Sequence, residues 1–203
     1  MTTDEFRALI AQRSDFELLG PCLHDDDAPF VFNQSSVQWE NFRAVIADGI
    51  SADRTDIRIV GSARFGFSLK PWRNLDAFRA TSDIDIVVVN TGLFDALWLA
   101  LLAAVYPKPP TVAWGGGWLE KIRGDIYTGW IRPPQIRLSR RIVGPRADAV
   151  LEFKSKWFNT LKLASQHPPR RHEDIQGRLY RTWRHAELYH LHSLGLLRQS
   201  LAE

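Results

Sequence analysis

An α/β fold is the prediction for this chain, and three observations carry it. A short apolar run at 57–60 closes on Gly61-Ser62, and an apolar run at 84–89, interrupted by Asp85 alone, opens on Asp83. Stretches with helical apolar spacing lie on either side of both. Short apolar runs bounded by turn residues read as strands, whereas apolar positions recurring every three or four residues mark helices. At 203 residues the chain suits one domain, or one domain with a helical appendage, and can bury a real core. Its 45% hydrophobic and 24% charged residues are those of an ordinary soluble globular protein.

From the N-terminus, Thr3 caps a helix reaching residue 12, with Phe6, Leu9 and Ile10 on one face. Asp25-Asp26-Asp27 lack the alternating spacing of a calcium-binding loop and read as a solvated turn. A helix from residue 35 or 36 to about 49 buries Val37, Phe42, Val45 and Ile46. Strand 57–60 leads into a helix at 62–67, and 84–89 is apolar on both faces, as at the centre of a sheet. An apolar helix then starts at Thr91 or Gly92 and runs to 105. The apolar stretch 93–106 contains Asp95 and is too short to span a bilayer.

The segment 107–117 is a loop with three prolines and Gly115-Gly116-Gly117. Trp118-Leu119 follows where a P-loop needs Lys-Ser/Thr, so this glycine run is a loop beside the site, with Trp114 or Trp118 available to stack on a base. Residues 125–131 read as the next strand, ended by Pro133-Pro134. Two long helices follow at 147–165 and 173–201, separated by His167-Pro168-Pro169. On the last, Ile175, Leu179, Trp183, Ala186, Leu194 and Leu197 form the buried side, while Arg178, Arg181 and Arg184 recur every third residue after Arg170-Arg171. That stripe is either a solvated face or a polyanion contact.

Chemistry concentrates at Asp83 and Asp85. On a strand, residues i and i+2 share a face, so these two carboxylates stand side by side while Ile84 and Ile86 point to the core. Neighbouring unneutralised carboxylates repel, and Mg²⁺, a hard cation with a preference for oxygen, relieves that while binding phosphates. Across the bend, Gly61 lets the backbone approach a phosphate and Ser62 adds a hydroxyl and an N–H.

In order, Gly61-Ser62 after an apolar strand and Ser82-Asp83-Ile84-Asp85 opening the next resemble the nucleotidyltransferase superfamily, the fold of DNA polymerase β, CCA-adding enzymes and small bacterial nucleotidyltransferases. The resemblance covers about residues 56–131. It implies a small mixed sheet flanked by helices, with residues 1–55 packing on a core at 56–145 and a helical C-terminal part at 146–203. It implies that Gly61 and Ser62 hold the triphosphate, that Asp83 and Asp85 bind two Mg²⁺ (or Mn²⁺), and that Arg64 and Lys70 are placed to meet phosphate. A third carboxylate is expected on a strand next to the paired acids. Asp125 is the first candidate and Glu152 its competitor, or the acid comes from elsewhere or is missing. The twenty residues between Ser62 and Asp83 exceed those of minimal members and read as a loop beside the site.

The activity so implied is metal-dependent transfer of a nucleoside monophosphate from an NTP, ATP among the candidates, to an acceptor hydroxyl with release of pyrophosphate. The acceptor would be an RNA or tRNA end, a protein or a small molecule. The alternative is a catalytically inactive subunit that binds nucleotide, RNA or a protein partner. Small relatives also suggest a toxin–antitoxin or phage-defence setting. Charge divides unevenly: residues 1–120 carry −6 and residues 121–203 carry +9. The basic half therefore either faces a polyanion or docks on the acidic half. Cys22 is the lone cysteine, which excludes an internal disulfide. With no basic or apolar signal region in Met1-Thr2-Thr3-Asp4-Glu5, a cytoplasmic protein without membrane contact is the expectation. The spacing of His185, His190 and His192 does not put all three on one helical face, which argues against zinc.

Overall fold

Residues 1–106, 117–166 and 174–202 are described by the structure, a computed structural model. Four strands, β1 (Ile57–Val60), β2 (Ile84–Val89), β3 (Trp130–Ile131) and β4 (Ile175–Tyr180), form one mixed sheet in the order β1-β2-β4-β3. β2 is antiparallel to β1 and parallel to β4, and β3 closes the far side antiparallel to β4. The central place of β2 follows from its sequence, since five of its six residues are apolar and β-branched, with no polar break after Asp85.

Helices α1 (Thr3–Gln12), α2 (Ser36–Ile50) and the single turn α3 (Ser62–Phe65) belong to the first third of the chain. The remainder are α4 (Thr91–Val105), α5 (Trp118–Tyr127), the short α6 (Arg140–Val143), α7 (Asp148–Ala164) and α8 (Trp183–Ala202). Thr2, one residue earlier than expected, caps α1. Its Oγ1 accepts the Glu5 N–H at 3.2 Å and its own N–H meets Glu5 Oε2 at 2.7 Å. Ser35 caps α2 and Asn90 caps α4.

The sheet separates two cores by the period-2 rule. Ile57, Ile59, Ile84, Ile86, Val88, Ile175, Leu179 and Ile131 pack on one side against α2, α4, α5 and α7. Val60, Val87, Val89 and Tyr180 face the other way, toward α1, α8 and the Phe65 ring of α3. Among the described residues no helix is long and apolar enough to cross a membrane.

Several expectations are corrected. Residues 125–127 end α5 rather than open a strand, and β3 holds only two residues beyond Gly129. α3 stops at Phe65 because Gly66 takes φ +87°. The expected helix at 173–201 divides into β4 and α8, so the C-terminal part is not wholly helical: it supplies a strand that pairs with β2. Arg178 thereby leaves the stripe for the sheet, while Arg181 binds Asp95 at 2.9 Å and Arg184 binds Glu187 at 3.2 Å. Val37 is exposed, and Trp39 takes its place in the buried face of α2. Trp118 is buried in the core rather than available to a base. The Asp turn is more than solvated: Asp26 binds Arg43 and Asp27 binds Arg64. Trp114, His167, Arg170 and Arg171 lie outside the described residues.

Candidate functional site

Val60, the last residue of β1, is the register partner of Asp85. The bend after β1 therefore begins beside that carboxylate. Gly61 takes φ +66°, ψ −141°, a conformation that side-chain-bearing residues avoid. A Cβ at Gly61 would stand 3.9 Å from Asp85 Oδ2, so the acid looks directly onto the bend. Ser62 follows at the start of α3.

Asp83 and Asp85 share the sheet face turned away from the larger core, and both line one cavity of about 360 Å³ together with Gly61, Ser62 and Lys70. Burial pushes the Asp85 carboxyl above the ordinary range, with Arg178 and Lys70 pulling it back and Asp83 and Asp174 adding to the rise. Asp83 Oδ2 receives a 3.3 Å hydrogen bond from Gln176 Nε2, and the same amide reaches Asp174 Oδ2 at 3.3 Å. These are long bonds. They set the Gln176 amide between the carboxylates of Asp83 and Asp174, and of these two acids only Asp83 lines the cavity.

Of the other expected residues, Lys70 is exposed and lines the cavity. Arg64 does not reach it. Two residues along a helical turn from Ser62 rotates the side chain by roughly 200°. The buried guanidinium instead donates to Pro21 O and pairs with Asp27 at 2.7 Å. Asp125 is buried on α5, where Arg132 Nη2 stands 3.7 Å from its Oδ2, too far for a hydrogen bond. Burial raises its pKa against the pull of Arg132. Arg132, not Asp125, lines the cavity. Glu152 lies exposed on α7, and neither acid joins Asp83 and Asp85.

The strand next to the paired acids is β4, and its contributions escaped the sequence reading. Gln176 is the register partner of Asp85, Arg178 of Val87 and Tyr180 of Val89. All three point to the carboxylate face, and Asp174 stands just before the strand. The signal was there: in Ile175-Gln176-Gly177-Arg178-Leu179-Tyr180, polar residues at 176 and 178 alternate with apolar or small ones. The three-residue spacing of Arg178, Arg181 and Arg184 matched a helix equally well, and Gly177 was the clue against it.

A second, more polar cavity of about 260 Å³ adjoins the first and shares Ser62, Ser68, Lys70, Asp83 and Asp85 with it. Arg73 and Arg79 of the 67–82 loop line it, flanking Asp76 at 3.9 and 4.0 Å. The long insertion thus brings cationic side chains to the acids. From the basic half, Arg198 and Arg181 pair with Asp15 and Asp95 of the acidic half, whereas Arg132 and Arg178 face the cavity.

Among the described residues no group of three or more His, Cys, Asp or Glu side chains is arranged to hold a metal by itself. Mg²⁺ needs less from a protein, because one or two carboxylates suffice when substrate phosphates supply further oxygens. The donor set fits that arrangement: two acids on one face, a glycine bend open to backbone approach, and in Asp85 a partly buried carboxylate whose charged form is disfavoured by desolvation. No family model, curated protein or solved structure matches the chain.

Proposed function

We propose that the protein is a metal-dependent nucleotidyltransferase that moves a nucleoside monophosphate from an NTP to an acceptor hydroxyl. The observation that carries this reading is the Asp85 carboxylate set over the Gly61 bend, with Asp83, Ser62 and Lys70 on the same cavity wall. Asp83 and Asp85 would hold Mg²⁺, with Asp174 the nearest further acid. When bound, the cation supplies charge neutralisation at the phosphates and acidifies the attacking hydroxyl.

The chain's own residues then have distinct tasks. Gly61 and Ser62 receive the β and γ phosphates, and Lys70 offsets their charge. The acceptor oxygen bonds to the α-phosphorus as the bond to the bridging oxygen breaks. Pyrophosphate leaves with that electron pair, and the hydroxyl proton passes to a site carboxylate. Arg73 and Arg79 border the neighbouring polar cavity, which suits either departing pyrophosphate or an anionic acceptor such as an RNA end. Positioning and electrostatic stabilisation provide most of the acceleration in phosphoryl transfer.

A second reading rests on Gln176, which stands beside Asp85 on the very strand where the family resemblance calls for an acid. In that reading the cavity binds nucleotide without transferring it, as a subunit serving RNA or a protein partner. Incubation with each α-labelled NTP, Mg²⁺ or Mn²⁺, and total RNA or cell protein separates the two. Transfer by wild type and not by Asp83→Ala/Asp85→Ala supports the enzyme. Equal signal from both removes it.

A further inference from the structure

The larger cavity does not end at the acids. It continues along the sheet beneath α8, where Tyr180, Tyr189, His190 and Leu194 line it. Tyr180 lies four residues along β4 from Gln176, roughly 13 Å at the usual strand rise. That distance is of the order of an extended nucleoside monophosphate.

Two polar atoms at this inner end have no hydrogen-bond partner. Tyr180 is 0% exposed, yet no group meets its hydroxyl in hydrogen-bond geometry, the Arg178 guanidinium being its charged neighbour. His190 Nε2 is buried and unpaired as well. Buried hydroxyl and imidazole groups normally find partners, and leaving one unmet is destabilising. The two side chains are held in place by Tyr189, whose ring lies 6.0 Å from Tyr180 and 5.4 Å from His190. Arg178 packs over the Tyr189 ring at 4.5 Å. Leu194 and Leu197 supply an aliphatic wall. A flat ring with hydrogen-bonding edges meets all of these requirements, whereas a phosphate would meet the aliphatic wall unfavourably.

We propose that the inner end of the cavity is a nucleobase pocket, in which Tyr180 Oη and His190 Nε2 hydrogen-bond the edge of a base. It rests on the nucleotidyltransferase reading in one respect only: the base belongs to the nucleotide whose phosphates meet Gly61 and Ser62. His190 reads the base as a neutral imidazole near pH 7, because burial first and the Arg178 charge second hold its pKa down to about 4.

The test uses nucleosides, which carry no phosphate, in EDTA, so that neither the cation nor the triphosphate contributes. Calorimetric titration of the full chain with adenosine, guanosine, cytidine and uridine should show saturable binding with unequal affinities. Tyr180→Phe and His190→Leu should each weaken the preferred nucleoside by about 3- to 10-fold, the range for one hydrogen bond. Asp83→Asn/Asp85→Asn should retain nucleoside binding. Should either pocket variant fail to fold, the ¹⁵N shift of the His190 ring in wild type still reports, and it should move on titration. Absence of saturation with all four nucleosides, or affinities and ring shift that ignore both sites, overturns the pocket. Nucleoside binding without any nucleotidyl transfer would keep the pocket and remove the transferase; transfer with no nucleoside effect would do the reverse.

Discussion

The two faces of the sheet are made by alternate residues of the same strands and have opposite character. One carries Ile84, Ile86, Val88 and their neighbours on β1 and β4, buried against four helices. The other carries Asp83, Asp85, Gln176, Arg178 and Tyr180 around a cavity. The first face gains stability by removing apolar area from water. The second holds a partly desolvated carboxylate and unpaired polar atoms, all of which oppose folding. A fold keeps such an arrangement at sites where a ligand completes it, so the division separates what makes the protein stable from what makes it act.

The sharpest way to break this comparison is to exchange chemistry for stability on each face. Asp83→Asn/Asp85→Asn should reduce nucleotidyl transfer by at least about 10³-fold with the fold intact, measured by label transfer and circular dichroism. Ile86→Ala, one residue away on the opposite face, should lower unfolding free energy by about 2–5 kcal/mol in urea while leaving nucleotide affinity of the folded fraction unchanged. An activity loss from Ile86→Ala larger than its unfolded fraction explains would blur the two faces.

Acidity sharpens the contrast. The folded pKa of His190, about 4, is depressed from 6.5, so the unfolded chain binds the extra proton first as pH falls. Its contribution is present above pH 6.5 and is lost as pH falls toward 4, on the order of 3 kcal/mol in all. His190→Leu should flatten that part of the stability profile; an unchanged difference between pH 7 and pH 4 would place the ring in water. Asp85 runs the other way. Its folded pKa is raised, so its favourable contribution is present below the unfolded value and lost as pH rises through the folded one. At neutral pH in EDTA, Asp85→Asn should therefore raise Tm by a few degrees, ~2–4 °C. A lower Tm would mean that the charged form is well paired.

What the sequence makes legible follows the same division. Strands 57–60 and 84–89, the helices capped by Ser35 and Asn90, and the meeting of Gly61 with Asp85 follow from local signals: apolar runs, caps and i, i+2 geometry. Long-range pairing is not local. β4 begins at Ile175, 86 residues beyond the end of β2 at Val89; it is only a short alternating run, and nothing near it announces that it pairs with β2. Arg64 has the right charge in the right neighbourhood, but the turn of α3 sends it to Asp27. Asp125 has the right spacing after α4 and the wrong element, since Arg132 stands between it and the cavity wall. In both cases the residue type was informative and the direction of the side chain was not.

The central claim is that Asp83 and Asp85, facing the Gly61–Ser62 bend, hold a divalent cation and a triphosphate together. Calorimetric titration of NTP with and without Mg²⁺ tests it most directly, on wild type, Asp83→Asn/Asp85→Asn and Asp125→Asn. The account predicts Mg²⁺-dependent saturation in wild type and in Asp125→Asn, and affinity at least about 10-fold weaker in the double variant. Mg²⁺-independent binding, or equal affinity in wild type and the double variant, would contradict it.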